Sequence, residues 1–170
     1  TPCGTLFPYT TLFRSANHNA EKQIVITGSP EPVQAVSKAA AAQKAKAVPL
    51  KVSGAWHSSL IQEAEAEFKS VLRSVPFSPP AIPVVHNVTA DTAQDPEAVR
   101  ALMARQLCSP VRWYETVLRL ISEGVKVFVE AGPGKVLTGL IRKTLPRDYP
   151  CDIYNINDLS SLETFLKAVK

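Results

Sequence analysis

Short runs rich in valine and isoleucine alternate along the chain with longer stretches of helical periodicity, and this alternation restricts the fold more than any other feature. The runs QIVIT, KVFVEAG and IYNIN have the length of strands, and each precedes a stretch whose apolar residues recur every three or four positions. Such an order is typical of α/β architecture rather than of a sandwich or a helical bundle. We therefore predict an α/β fold with five or six strands.

The first predicted unit combines a strand, a helix and a second strand. QIVIT forms the strand 23–27, which Gly28 ends, and the following Ser-Pro pair begins an alanine-rich helix over about 31–46. AVPLKVS then returns as a strand over 47–53. A unit of this size can form a small subdomain.

The rest of the chain continues the alternation. An amphipathic helix with a serine cap is predicted over 58–75, and the proline-rich connector 77–83 separates it from an apolar strand in VVHNVTA. The further predicted elements are helices beginning at Pro96 and Pro110, a buried strand over 126–132, the helix KVLTGLIRKTL, the strand IYNIN and the helix LETFLKAV.

The first fifteen residues, TPCGTLFPYTTLFRS, differ from the rest because they show neither helical nor strand periodicity. Their single positive charge, Arg14, comes late, and no apolar core precedes a small-residue cleavage site, so they do not match a secretory signal. The stretch LFPYTTLFRS resembles a translated sequencing adapter. We therefore predict a non-native leader over 1–15 and leave it out of the fold.

Cysteine usage and charge narrow the class of protein. Cys3, Cys108 and Cys151 stand at scattered positions with no CxxC pair, which argues against a disulfide framework and favours a reducing, cytoplasmic compartment. The net charge is +4, but the 19 Lys and Arg residues are dispersed and aromatic residues make up only 7%, so nucleic acid is not a predicted partner. No apolar run reaches the roughly 20 residues of a membrane-spanning helix, so no membrane is predicted either.

His57 is the candidate catalytic side chain, because it lies between a predicted strand and a predicted helix, where the edge of an α/β sheet meets a crevice. By itself this position leaves open an ordinary capping or partly buried histidine. A histidine base needs a nucleophile, and the serine elbow GxSxG occurs nowhere in the sequence. The chain alone therefore cannot complete hydrolysis or acyl transfer. Neither His18 nor His86 forms metal-ligand spacing with His57, so no metal is predicted.

The segment GPGKVLTG, residues 132–139, follows a predicted strand and begins a helix, where backbone N–H groups attract anions. Its glycines fit neither phosphate-binding spacing, because Val136 stands where a hydroxyl is needed and Leu137 stands where a third glycine is needed. A tight turn is the favoured interpretation, with nucleotide binding as a minor alternative.

Five segments together resemble the C-terminal half of the malonyl-CoA:acyl carrier protein transacylase family, in order and with matching separations. They are NHNAEKQIVITG, AVPLKVSGAWHSSL, IPVVHNVTA, RQLCSPVRW and VEAGPGKVLTGLIRK. The resemblance implies that residues 54–170 form part of an α/β-hydrolase-like parallel sheet. It implies that residues 16–53 form the second part of an inserted ferredoxin-like subdomain.

In this family a serine takes the malonyl group from malonyl-CoA as an ester and passes it to the phosphopantetheine thiol of acyl carrier protein, in fatty acid biosynthesis. The resemblance implies that His57 is the general base and that the backbone carbonyl of Gln106 orients it. It also implies that Asn19 and Trp56 line the substrate site. Trp56 stands where malonyl-selective members carry Phe, and its bulk would disfavour a methylmalonyl group. No cofactor is implied, since malonyl-CoA is a substrate.

The family's serine elbow has no counterpart in the sequence, so we expect a fragment that is inactive as it stands. We also expect the full-length enzyme to be a monomer. The alternative is a non-catalytic module that binds acidic acyl carrier protein through Lys135, Arg142, Lys143 and Arg147. Such a run is also common on a solvated helix face near a C-terminus. A partial parallel sheet would leave apolar strand surface open, which predicts poor solubility or association.

Overall fold

The computed structural model describes residues 13–52 and 54–169, and over these residues helices and strands alternate, which confirms the predicted α/β class. The strands are β1 (Phe13–Ala20), β2 (Gln23–Gly28), β3 (Val85–His86), β4 (Asp91–Thr92), β5 (Val127–Ala131) and β6 (Asp152–Ile156). The helices are α1 (Pro30–Ala42), α2 (Gln62–Ser74), α3 (Pro96–Arg105), α4 (Trp113–Ser122), α5 (Val136–Thr144) and α6 (Leu159–Ala168), and a 3₁₀ turn (Ser59–Ile61) precedes α2.

The described strands form three two-stranded sheets. β1 and β2 pair antiparallel, and the register shifts at two places in β1, between Ser15 and Asn17 and between His18 and Ala20. β3 and β4 make a short antiparallel ladder. β5 and β6 pair parallel along their whole lengths, with α5 as the crossover between them. This pair is a piece of parallel sheet, the arrangement that the resemblance implies for residues 54–170.

The core of the C-terminal part lies where α4, β5 and α5 meet. Val117 of α4, Phe128 of β5 and Ile141 of α5 form a buried cluster. Tyr149 packs beside it and donates its hydroxyl to the carbonyl of Val125 at 2.8 Å. The cluster joins three consecutive elements, so the αβα order of the sequence is itself what brings the apolar faces together.

Strand β5 is buried on one face only, which corrects the prediction of a buried strand over 126–132. Phe128 is 5% exposed, whereas Val127 and Val129 on the opposite face are 42% and 41% exposed. The reason is that α4 and α5 cover one face, and within the described residues β6 is the strand hydrogen-bonded to β5. The expected open apolar strand surface is therefore present.

The predicted strand 47–53 is not formed over 47–52, and Ser53 lies outside the described residues. A strand needs a neighbour to satisfy its backbone groups, and no described strand pairs with this segment. Its alternating apolar side chains, Val48, Leu50 and Val52, are exposed. Helix α1 also ends earlier than predicted, at Ala42.

Strand β1 was not predicted and begins inside the predicted leader. Phe13, Arg14 and Ser15 pair with β2, whereas residues 1–12 of that leader lie outside the described residues. The sequence of β1 is polar and carries no run of β-branched residues, and of its side chains only those of Ala16 and Ala20 are buried. The boundary at residue 15 stays a prediction. Among the described helices, none is long and apolar enough to cross a bilayer.

Candidate active site

His57 lies in the turn that leads into the 3₁₀ segment, and its backbone is left-handed, with φ of +61°. This conformation costs a residue other than glycine on the order of 1–3 kcal/mol, so the surroundings must hold it in place. Ser58 is buried beside it, donates its hydroxyl to the carbonyl of Ala55 at 2.7 Å and accepts the Leu60 N–H at 3.2 Å. The predicted serine cap is therefore present, although it caps the 3₁₀ turn before α2.

Three backbone carbonyls of the segment 106–109 accept hydrogen bonds from His57. Nδ1 lies 3.0 Å from the oxygen of Gln106 and 3.1 Å from the oxygen of Ser109, and the backbone N–H donates to Leu107 at 3.0 Å. A carbonyl oxygen can only accept, so Nδ1 carries the proton in the neutral ring. Nε2 then holds the free electron pair, and over residues 13–52 and 54–169 no group is hydrogen-bonded to it. In this tautomer Nε2 is the ring nitrogen that can accept a proton.

The segment 106–109 is anchored at both ends. Gln106 is the C-terminal cap of α3 and donates its N–H to the Leu102 carbonyl at 3.1 Å. On the other side, Val111 donates its N–H to Ala16 of β1 at 2.8 Å and accepts the N–H of His18 at 2.9 Å. The carbonyls that hold His57 are therefore fixed between a helix and a strand.

The structure brings together two of the four residues that the resemblance assigns to the site, His57 and Gln106. Asn19 lies in the second register shift of β1. Trp56 is 54% exposed, with its indole against Gly54, where an added Cβ would lie 3.2 Å from Nε1. Within the described part of the chain, neither Asn19 nor Trp56 hydrogen-bonds to His57, and their roles stay predictions.

The thiol of Cys108, inside the same segment, is held in its neutral form. Burial, followed by the hydrogen bond and the charge of Glu65, raises the pKa of Cys108 to about 11, and the nearby charge of Arg14 offsets part of this. Arg14 also donates to the Ser59 hydroxyl at 3.0 Å. Because the thiolate is the nucleophilic form, Cys108 is not a candidate nucleophile.

The segment 132–139 is a tight turn whose helix N-terminus already has an anion. The carboxylate of Glu130 accepts the N–H groups of Leu137 at 3.0 Å and Thr138 at 2.8 Å. The Asn155 side chain donates to the Gly134 carbonyl at 2.7 Å, and Gly134 has φ of +88°. A phosphate at these N–H groups would meet a carboxylate, so the nucleotide alternative is disfavoured. In the described ranges no three His, Cys, Asp or Glu side chains are grouped to hold a metal ion.

Sequence reasoning missed the carbonyls of Leu107 and Ser109 and the cap by Glu130. Pro110 indicates that the backbone of Ser109 is extended, because proline disfavours helical backbone in the residue before it, but it does not indicate the contact with His57. Nothing local marks Glu130 as a cap, since it belongs to a strand and reaches the helix across a turn of two glycines.

Residues 13–164 match the family model described as acyl transferase domain. The chain is 38% identical over 160 residues to the malonyl CoA-acyl carrier protein transacylase of Bacillus subtilis, which covers 94% of this chain and 50% of the relative. It is 37% identical over 147 residues to the protein of the same name from Synechocystis, with 86% and 50% covered. The chain therefore spans about half the length of the curated relatives it matches.

Solved structures show the same half-length likeness. The acyl-carrier-protein-S-malonyltransferase of Bartonella henselae superposes with a TM-score of 0.85 at 33% identity, over 93% of this chain and 50% of that one. A malonyl-transacylase solved in complex with a type II PKS acyl-carrier protein superposes with a TM-score of 0.86 at 38% identity, over 92% and 50%.

Proposed function

The chain belongs to the acyl transferase domain family, and on that premise we propose that it supplies the general base of an enzyme that transfers malonyl from malonyl-CoA to acyl carrier protein in fatty acid biosynthesis. The observation that carries the proposal is the contact of His57 Nδ1 with the Gln106 carbonyl at 3.0 Å, which leaves Nε2 free to accept a proton. An ordinary capping histidine would need neither this contact nor a strained backbone.

In the proposed reaction, Nε2 of His57 takes the proton of a serine hydroxyl as the serine oxygen attacks the malonyl thioester carbonyl. The carbon–sulfur bond then breaks, and the proton passes from Nε2 to the coenzyme A sulfur. In the second half the phosphopantetheine thiol gives its proton to Nε2 and its sulfur attacks the ester carbonyl. The bond between that carbonyl and the serine oxygen then breaks, and Nε2 returns the proton to the serine oxygen. Carbonyl dipoles stabilise the intermediate imidazolium less than a carboxylate would.

The nucleophilic serine is proposed to lie in polypeptide outside the 170 residues, because these contain no GxSxG. The chain by itself is then inactive. Asn19 and Trp56 are proposed to line the malonyl pocket. The complete enzyme is proposed to be a cytoplasmic monomer that acts on malonyl-CoA and acyl carrier protein, without a cofactor, a membrane or nucleic acid. The names of the relatives, and the complex of one neighbour with its carrier protein, support this choice of substrates.

The alternative of a non-catalytic module for acyl carrier protein rests on Lys135, Arg142, Lys143 and Arg147. Within the described residues none of these side chains forms an ion pair, although Lys143 Nζ donates to the Gln23 side-chain oxygen at 2.9 Å. An acyl transferase also has to meet its carrier protein, so this patch does not separate the two proposals. The arrangement of His57 favours the enzyme.

The direct test is to read the genomic DNA upstream of the first codons of this chain. The proposal expects an in-frame serine elbow of the GHSLG type. The complete gene should then yield a protein that becomes labelled on that serine by radioactive malonyl-CoA and passes the label to acyl carrier protein. A start codon beside codon 16, or a complete protein that is not labelled, would overturn the proposal.

A further inference from the structure

We propose that Pro110 is a positioning residue for His57, because it holds Ser109 in extended backbone and so aims the Ser109 carbonyl at Nδ1 as a second acceptor. The catalytic consequence of this inference rests on the function proposed above. The geometric part does not, since it concerns only which tautomer the ring adopts.

Ser109 contributes only its backbone carbonyl to the contact with the His57 ring. Nδ1 of His57 lies 3.1 Å from the Ser109 oxygen, almost as close as the 3.0 Å that separates it from the Gln106 oxygen. The Ser109 hydroxyl makes no hydrogen bond in the described part of the chain. What matters at position 109 is therefore the direction of its carbonyl, which its backbone dihedral angles set.

Pro110 is suited to set that direction. Its ring clashes with a preceding residue in helical backbone and leaves that residue the extended region. The segment comes directly from α3 and a turn, so without a proline the chain could continue in helical backbone at Ser109, which would swing the carbonyl away. Pro110 is itself exposed and has no N–H to satisfy, so its role is to restrict its neighbour.

Two carbonyl acceptors on the Nδ1–H group restrict the orientation of the His57 ring more than one acceptor does. A single carbonyl fixes the tautomer but allows the ring to turn about the hydrogen bond, whereas two carbonyls from different residues define the ring plane. When the ring becomes an imidazolium, both carbonyl dipoles face its positive charge, which partly replaces the missing carboxylate. The Leu107 carbonyl completes the arrangement, because it accepts the N–H of His57 at 3.0 Å and holds the left-handed backbone.

The first measurement uses nitrogen NMR of the complete protein with labelled histidine rings. The wild-type chain should show His57 with its proton on Nδ1. In Pro110→Ala, the fraction with the proton on Nε2 should rise. Pro83→Ala is the matched control, because Pro83 is also exposed and follows an irregular connector residue, far from His57 in sequence. It should leave the His57 tautomer unchanged.

The second measurement uses the complete transferase. Loss of one hydrogen bond of about 0.5–1.5 kcal/mol predicts a fall in kcat of about two- to tenfold in Pro110→Ala, with KM for malonyl-CoA unchanged. Ser109→Gly keeps the proline but gives position 109 more backbone freedom, so it should shift the tautomer and kcat in the same direction. This variant replaces Pro110→Ala in both measurements if Pro110→Ala does not fold.

The proposal is overturned if Pro110→Ala folds and keeps both the wild-type tautomer and kcat, or if Pro83→Ala shifts them equally. Failure of the proposed function is a different result. In that case the complete wild-type protein transfers no malonyl, while the tautomer measurement still decides the role of Pro110.

Discussion

The carboxylate of Glu130 accepts the backbone N–H of Thr138 at 2.8 Å, so that a side chain of strand β5 caps helix α5. Hydrogen bonding from Thr138, and then from the N–H of Leu137 and from Asn155, lowers the pKa of Glu130 from its ordinary value of 4.5. A carboxyl whose pKa is lower in the folded state stabilises the fold at pH above that ordinary value. This contribution is lost as the pH falls.

We predict that Glu130→Gln lowers the urea midpoint of unfolding at pH 7, because a neutral amide is a weaker partner for the helix N-terminus. The difference from wild type should shrink as the pH falls below 4.5 and the wild-type carboxyl becomes protonated. Glu67→Gln, at an exposed position of α2, is the control and should show little effect at either pH. A difference that stays constant from pH 7 to below 4 would contradict the capping role.

The buried cluster of α4, β5 and α5 gives a prediction about stability. Phe128→Ala should lower the free energy of unfolding by about 3–5 kcal/mol, since it removes a large buried ring and leaves a cavity. Leu159→Ala, at a side chain that is 78% exposed, should change it by less than about 0.5 kcal/mol. Chemical denaturation followed by circular dichroism measures both. A small effect of Phe128→Ala would mean that this cluster is not the core.

Sequence periodicity predicted those elements whose stability is local or comes from neighbours in the chain. β5, α5 and β6 follow one another and pack together, and their predicted bounds lie within one residue of the observed ones, although only one face of β5 is buried. Segment 47–52 has an equally good strand pattern but no described neighbour to pair with. β1 shows the opposite case, because its polar sequence becomes a strand through pairing with β2. Pairing is a tertiary property that a local pattern does not contain.

The sequence predicted part of the candidate site, namely His57 and Gln106, but not the Ser109 contact. The position of His57 between a strand-like run and a helix suggested a crevice, and the resemblance added Gln106. The Ser109 contact joins residues 52 positions apart and depends on how the end of α3 meets the turn at His57. Only the three-dimensional structure shows that one N–H is shared between two carbonyls.

The raised pKa of Cys108 predicts that its thiol reacts slowly with alkylating reagents. With a pKa of about 11, its thiolate fraction at pH 8 is roughly one in a thousand, far below that of a free cysteine. Alkylation of Cys108 by iodoacetamide, followed by mass spectrometry, should be slow at pH 8 and should accelerate up to about pH 11.

Glu65→Gln should speed the alkylation of Cys108 at pH 8, because the substitution removes the carboxylate that opposes the thiolate. Glu63→Gln, two residues away and exposed, should not. Fast alkylation of the folded wild-type chain at pH 8 would contradict this environment.

The last prediction concerns the base itself. In the complete transferase, His57→Ala should lower the rate of serine acylation by malonyl-CoA by about 10²–10⁴-fold, the range in which positioned general bases contribute. Alanine tolerates the φ of +61° poorly, so His57→Asn is the companion variant, because asparagine adopts left-handed backbone more readily and has no group that accepts a proton near neutral pH. Both variants should keep the wild-type circular dichroism spectrum, and His18→Asn, whose ring packs on Tyr114, is the control for loss of a histidine elsewhere. Acylation of His57→Asn at the wild-type rate would show that another group removes the serine proton.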